Sequence, residues 1–186
     1  MMLFIRFVGL AVLFVLFIDC KQSRFPKPKG YLALEYPIPV YHSFDGSPNY
    51  SFDYNAIAQP IVSSFESLQV YYPLMKATIY INYRKVENNL DSLLHDAYLI
   101  PYRHVSKAEE IPEKVFINHD QRVYGQLFSV IGNAASQQQF FLTDSTHHFI
   151  LGSLYFYALP NYDSIYPAIK YIESDIMRMM ASFQWN

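Results

Sequence analysis

The C-terminal segment constrains this chain more than any other. Ile165, Ala168, Ile169, Ile172, Ile176, Met179, Met180 and Phe183 recur at helical spacing, so one side of the helix they form is apolar along its length. Asp163 is placed to cap it, and Pro160-Asn161 break the segment before it. A helix of about 20 residues, roughly 30 Å long, is stable only when such a stripe is buried. It matches one face of a four- or five-stranded sheet, so the chain must supply that sheet.

The preceding sequence does so. Residues 77–83 (ATIYINY) alternate, with Ile79, Ile81 and Tyr83 on one face and Thr78, Tyr80 and Asn82 on the other. Residues 50–54 and 68–72 also read as strands, as does the run 30–35 (GYLALE), while residues 55–66 fit helix or loop. The period changes at Leu90, Leu93, Leu94 and Ala97, a helix with Asn89 as its cap and Pro101 at its end. Alternation returns in 114–117 and 122–131, joined at residues 118–121, and in 137–142 and 148–158, turning at Asp144-Ser145-Thr146. The expected fold class is α+β: a mainly antiparallel sheet of about five strands packed against helices.

The N-terminus sets a location. Arg6 precedes an apolar run over residues 7–18, then come Asp19, the chain's single Cys at position 20, and polar residues 21–24. This is the layout of an export signal, and the run is short for a spanning helix, which needs about 20 apolar residues. The expected organisation is a lipoprotein signal peptide over 1–19, a lipid anchor and tether over 20–29 with Cys20 acylated, and one domain over 30–186. The rival reading is an uncleaved signal anchor. Lys21, with no acidic run after it, favours the outer membrane, facing the periplasm.

Composition narrows the partners. The net charge of −2 argues against nucleic acid. With one Cys there is no internal disulfide and no Cys-based metal site. The 17 Tyr and 15 Phe suit strands and at least one aromatic contact face.

Chemistry is thinly signalled. His42, His95, His104, His119, His147 and His148 show no metal-chelating spacing. Asp144, Ser145 and His147 contain the residue types of a hydrolytic triad, but three residues of one tight turn do not converge as such a mechanism requires. Asn133, Ser136, Gln137, Gln138 and Gln139 put amides and a hydroxyl beside that turn. The expected protein-contact residues are therefore Asn133, Ser136, Gln139, Thr143, Asp144, Ser145 and His147, with no catalytic residue, metal or cofactor. The alternatives are a periplasmic hydrolase and a carrier of a small apolar ligand held between sheet and helix.

Longer phrases are more specific. GNAAS, QFFLTDST, HF, G-x-LYF, PN-x-DS and SF-x-W follow one another from Gly132 to Trp185, with KPKGY, KATIYINY and NNLDSLL upstream. Through these phrases the chain resembles the GldD family of gliding-motility lipoproteins from the Bacteroidetes, over essentially its whole mature length. The resemblance implies an accessory or assembly factor for gliding and type IX protein secretion, acting through contacts with other envelope lipoproteins, anchored to the membrane by lipid and without a cofactor. The ending also resembles, in fold alone, the photosystem oxygen-evolving subunit P. Three departures stand out: Asp19 precedes the Cys where a small residue is usual, Ser47 and Glu66 stand near a Cys pair of the family, and Leu151 replaces a common basic residue before Gly152.

Overall fold

A computed structural model of the chain describes residues 35–103, 105–158 and 161–186, which belong to one compact unit. The signal segment, the tether with Cys20, and the run 30–34 lie outside the described residues; Glu35 is irregular.

Strands β1 (Tyr41–Phe44) and β2 (Tyr50–Asn55) pair with each other. Next come β3 (Gln59–Ser64), β4 (Ser67–Tyr72) and β5 (Ala77–Lys85), then helix α1 (Leu90–Tyr102). A short β6 (Ala108–Glu110) leads to β7 (Glu113–Asn118), β8 (Val123–Ser129) and β9 (Ile131–Gly132). The long hairpin of β10 (Ser136–Thr143) and β11 (His148–Phe156) precedes helix α2 (Tyr162–Ser182) and β12 (Gln184–Trp185).

The main sheet is antiparallel, has seven strands rather than about five, and runs β3-β4-β5-β11-β10-β8-β7. A second sheet is ordered β1-β2-β12, and β6 pairs with β9. Residues 50–54 belong to the second sheet. The ambiguous run 55–66 contains β3, an edge strand; it is mostly exposed, so it shows no alternation, and an edge accommodates Pro60.

The period-two pattern of β5 holds. Ile79 and Ile81 are buried with Phe140, Leu142, Ile150 and Leu154 from neighbouring strands against Ile172, Ile176, Met179 and Met180 of α2. The 21-residue α2 buries the expected stripe, except that Ile165 is only half-buried. Phe183 lies under the second sheet, with its ring centroid 5.4 Å from Tyr50, 6.0 Å from Phe52 and 4.7 Å from Trp185. Phe183 is fully buried and Trp185 half-buried.

The opposite face carries α1. Phe128, Phe141 and Phe149 pack there with Ala97, Leu90, Leu93 and Leu94. Strand β10 is thus covered on both sides, and all eight of its residues are buried. Gly152 faces Phe140 across the β10–β11 register. A Cβ at position 152 would lie 2.2 Å from the Phe140 ring, so glycine is needed here.

The Asp163 cap expectation shifts, whereas Asn89 is the N-cap of α1 by position. Asn161, not Asp163, is the N-cap of α2, accepting from the Ser164 N–H, while Asp163 lies in the first turn. Asn89 precedes α1, but its side chain accepts from the Glu87 N–H at 2.8 Å. Pro101 lies inside the last turn of α1, which ends one residue later at Tyr102.

Because Ile176 is fully buried in the α2 seam, Ile176→Ala is expected to lower stability by about 2–5 kcal/mol. Chemical denaturation measures this, and a near-neutral result would show that α2 is not docked on the sheet.

Candidate functional site

The β10–β11 turn is organised by one carboxylate. Asp144 Oδ1 accepts from the backbone N–H groups of Thr146, His147 and His148 at 2.9, 2.8 and 2.8 Å, and Oδ2 accepts from the Thr146 hydroxyl at 2.9 Å. Burial works against ionisation, but the donors from His148, His147 and Thr146 prevail and hold the acid well below the usual carboxylate range. Thr143 Oγ1 accepts from the Ser145 N–H at 2.9 Å and donates to the His148 carbonyl at 2.7 Å. Ser145, held at φ 66°, is the outermost point of a rigid turn.

This geometry divides the expected contact residues. Ser136, Gln139, Thr143 and Asp144 are buried, because β10 lies between two covered faces and Asp144 turns inward to its donors. The side chains of Ser136, Thr143 and Asp144 brace the hairpin by hydrogen bonds, and none of the four presents itself to a partner. Asn133, Ser145 and His147 are exposed. Asn133 Oδ1 accepts from the Tyr162 N–H at 2.9 Å, tying its loop to the start of α2.

The turn does not assemble a nucleophile. His147 Nδ1 is 3.1 Å from Thr146 Oγ1 and 3.7 Å from Asp144 Oδ2. Among the described residues no hydrogen bond joins Ser145 Oγ to His147, and no group of three His, Cys, Asp or Glu is placed to hold a metal ion. His148 turns the other way, pairing through Nδ1 with the Tyr83 hydroxyl at 2.8 Å and stacking on Trp185 at 5.3 Å. An apolar hollow of ≈ 370 Å³ is bordered by Phe44, Tyr50, Val62, Phe65 and Leu68. It lies beside the β3–β4 hairpin, whereas the seam between sheet and α2 is filled by buried side chains.

A buried polar cluster escaped the sequence reading. Asp175, on the inner side of α2, is 2% exposed. It accepts from the hydroxyls of Tyr41 at 2.8 Å and Tyr72 at 3.1 Å and from Asn55 Nδ2 at 3.0 Å. Asn55 also donates to the Tyr171 hydroxyl, which donates to the Pro37 carbonyl, both at 2.9 Å. Burial raises the Asp175 pKa despite these donors, and raises those of Tyr72 and Tyr41. Asp175 falls within the apolar spacing, between Ile172 and Ile176; that position was the available signal. Glu173 is also buried but is paired with Lys114 and Lys170 at 2.6 and 2.7 Å. The Lys114 pair, like the Asp175 hydrogen bonds, attaches α2 to its surroundings, whereas the Lys170 pair lies within the helix.

The described residues thus define an α+β module whose buried polar groups serve its architecture and whose surface is fixed by rigid turns. The model of the family described as gliding motility lipoprotein GldD matches residues 21–185, and the chain belongs to that family. This makes it a lipoprotein of the cell envelope, held at a membrane, with a role in gliding motility. No curated protein matches the chain. Among the described residues no helix is long and apolar enough to cross a membrane.

The two carboxyls predict opposite pH behaviour. Asp144 stabilises the fold above the ordinary value of 3.8, and this contribution is lost as pH falls through its depressed folded value. Asp175 keeps its proton to higher pH folded than unfolded, so its contribution is complete in acid and is lost as pH rises through the raised value. Denaturation midpoints against pH are therefore expected to lose their rise from acid in Asp144→Asn and to lose part of their fall with rising pH in Asp175→Asn. Asp175→Ala, which removes the acceptor shared by Tyr41, Tyr72 and Asn55 and leaves the buried Tyr72 hydroxyl without it, is expected to cost about 3 kcal/mol.

Proposed function

We infer that this chain is an accessory factor for the assembly or stability of the gliding and type IX secretion machinery, working by protein–protein contact. Family membership carries the reading. An acyl chain on Cys20 would anchor the protein at the outer membrane, facing the periplasm, with residues 20–29 as tether. Several acyl chains give a stable anchor where one is marginal, and tethering raises the domain's effective concentration near other motility and secretion lipoproteins.

The rigid hairpin end supports a recognition role. Asn133, Ser145 and His147 offer exposed polar groups, and Ser136, Thr143 and Asp144 hold the backbone beneath them. A surface fixed before binding loses little entropy on association. The hydrolase alternative would need Ser145 to receive a base, and His147 makes no such contact among the described residues.

Cys20→Ser is expected to abolish acylation, release the domain from the envelope membrane, and reduce both spreading of the cells and secretion of type IX cargo. The mass of the N-terminal peptide and fractionation of the envelope read this out. A wild-type protein still carrying residues 1–19 would instead establish the signal anchor. Ser145→Ala is expected to leave function intact; its loss in a folded, partner-bound protein would support the hydrolase reading.

A further inference from the structure

Helix α1 covers only part of its face of the main sheet. Side chains on that face alternate with those of the α2 core, so Phe141 and Phe149 lie under α1 while Ser153 and Tyr155 lie further along the same side of β11. Beyond α1 the face opens into a shallow hollow of ≈ 560 Å³ bordered by Tyr80, Asn82, Ser153, Tyr155, Phe156 and Tyr157. The register places Gln69, Tyr80, Ser153 and Gln139 side by side on β4, β5, β11 and β10.

The hollow has a distinct chemistry. Two edge-to-face pairs fix its rings, Tyr80 with Tyr155 at 5.8 Å and Tyr71 with Tyr157 at 6.4 Å. The Tyr157 hydroxyl meets those of Tyr80 at 2.8 Å and Thr78 at 3.2 Å, which orients the phenols. Tyr155 is 37% and Tyr157 59% exposed. Every polar group on the border is a hydroxyl or an amide. The charged residue next along β5, Arg84, is paired with Glu66 at 3.0 Å. One strand in from Ser153, the Gln139 carboxamide is buried with neither Nε2 nor Oε1 hydrogen-bonded among the described residues, an unmet demand of a kind native proteins usually satisfy.

We propose that this tyrosine-lined face of β5 and β11 is a binding site for a neutral oligosaccharide. Pyranose rings present apolar C–H faces and a rim of hydroxyls. Exposed phenol rings match the first, and the Tyr, Ser and Asn groups of the border, which both donate and accept, match the second. The uncharged border offers nothing to phosphate or carboxylate. Tyr is also common at the centres of protein interfaces, but the Arg and Met that accompany it there are missing from this border. The volume lies within the roughly 300–1,000 Å³ of small-ligand sites, and the open sides admit a chain. This inference does not depend on the assembly role.

The test is a panel of neutral hexasaccharides of glucose, mannose, galactose and N-acetylglucosamine, titrated against the full-length protein in detergent micelles by calorimetry. At least one is expected to bind, with affinity falling tenfold or more in Tyr155→Ala and in Tyr157→Ala. Tyr155→Phe, which keeps the ring, should retain most of the binding, and Val115→Ser, on the edge strand β7, should be unaffected. Binding to none of the panel overturns the proposal, as does binding that both alanine variants leave unchanged while their unfolding midpoints stay at the wild-type value. A photocrosslinker at Tyr155 that captures an envelope protein, with no saccharide bound, makes this face a protein surface instead and equally overturns it.

Discussion

The pairing of β5 with β11 is the constraint on which the rest of the structure depends. Nine residues of each strand are in register, from Ala77 opposite Phe156 to Lys85 opposite His148. This joins two segments far apart in sequence and places both in the middle of the sheet. Once it forms, period two decides everything above and below. Ile79, Ile81, Ile150 and Leu154 face α2 and make the core; Tyr80, Asn82, Ser153 and Tyr155 face the other way. A one-residue slip would exchange the two sets, placing polar groups in the core and apolar groups on the surface. The same register therefore secures stability and fixes the open aromatic face.

Much of this was legible. The α2 stripe, the alternation of 77–83 and both late hairpins carry local periodicity strong enough to survive into the structure. What was not legible depends on neighbours. Strand β3 has no alternation because it is an edge with little to bury, and the seven-strand count depends on which strands meet. The amide run of residues 137–139 looked like a surface because amides usually are solvated. Here α1 and α2 cover both faces of β10, and the run is buried. Asp175 was passed over for a related reason: a carboxylate in an apolar stripe is expected to be solvated, and its three donors come from positions 41, 55 and 72, over a hundred residues away.

The buried acids serve the fold in different ways. Asp144 gathers donors mostly from its own turn, within four residues, so it stabilises a local conformation and sets the hairpin end. Asp175 gathers donors only from remote strands, so it fixes how α2 lies against β1, β2 and β4. Apolar packing alone tolerates some sliding of a helix along a sheet, because Ile and Met contacts are non-directional. Hydrogen bonds from Tyr41, Tyr72 and Asn55 are directional, and they select one placement. Whether such a cluster adds net stability over an apolar equivalent depends on context; its geometric effect here is register, and Tyr171 extends that effect to the chain at Pro37.

The turns of this domain are cross-braced, its long helix is held by both apolar and polar contacts, and the described residues assemble no triad. Specificity in such a protein comes from surfaces held in place before binding, where little conformational entropy remains to be lost. The two surfaces proposed for such a role are the exposed hairpin end above Asp144 and the tyrosine face beyond α1. They are built on β11, which begins at His148 beside the turn and carries Ser153 and Tyr155 at the hollow. A single strand, paired over nine residues with β5, thus fixes the hairpin end and the tyrosine face relative to each other.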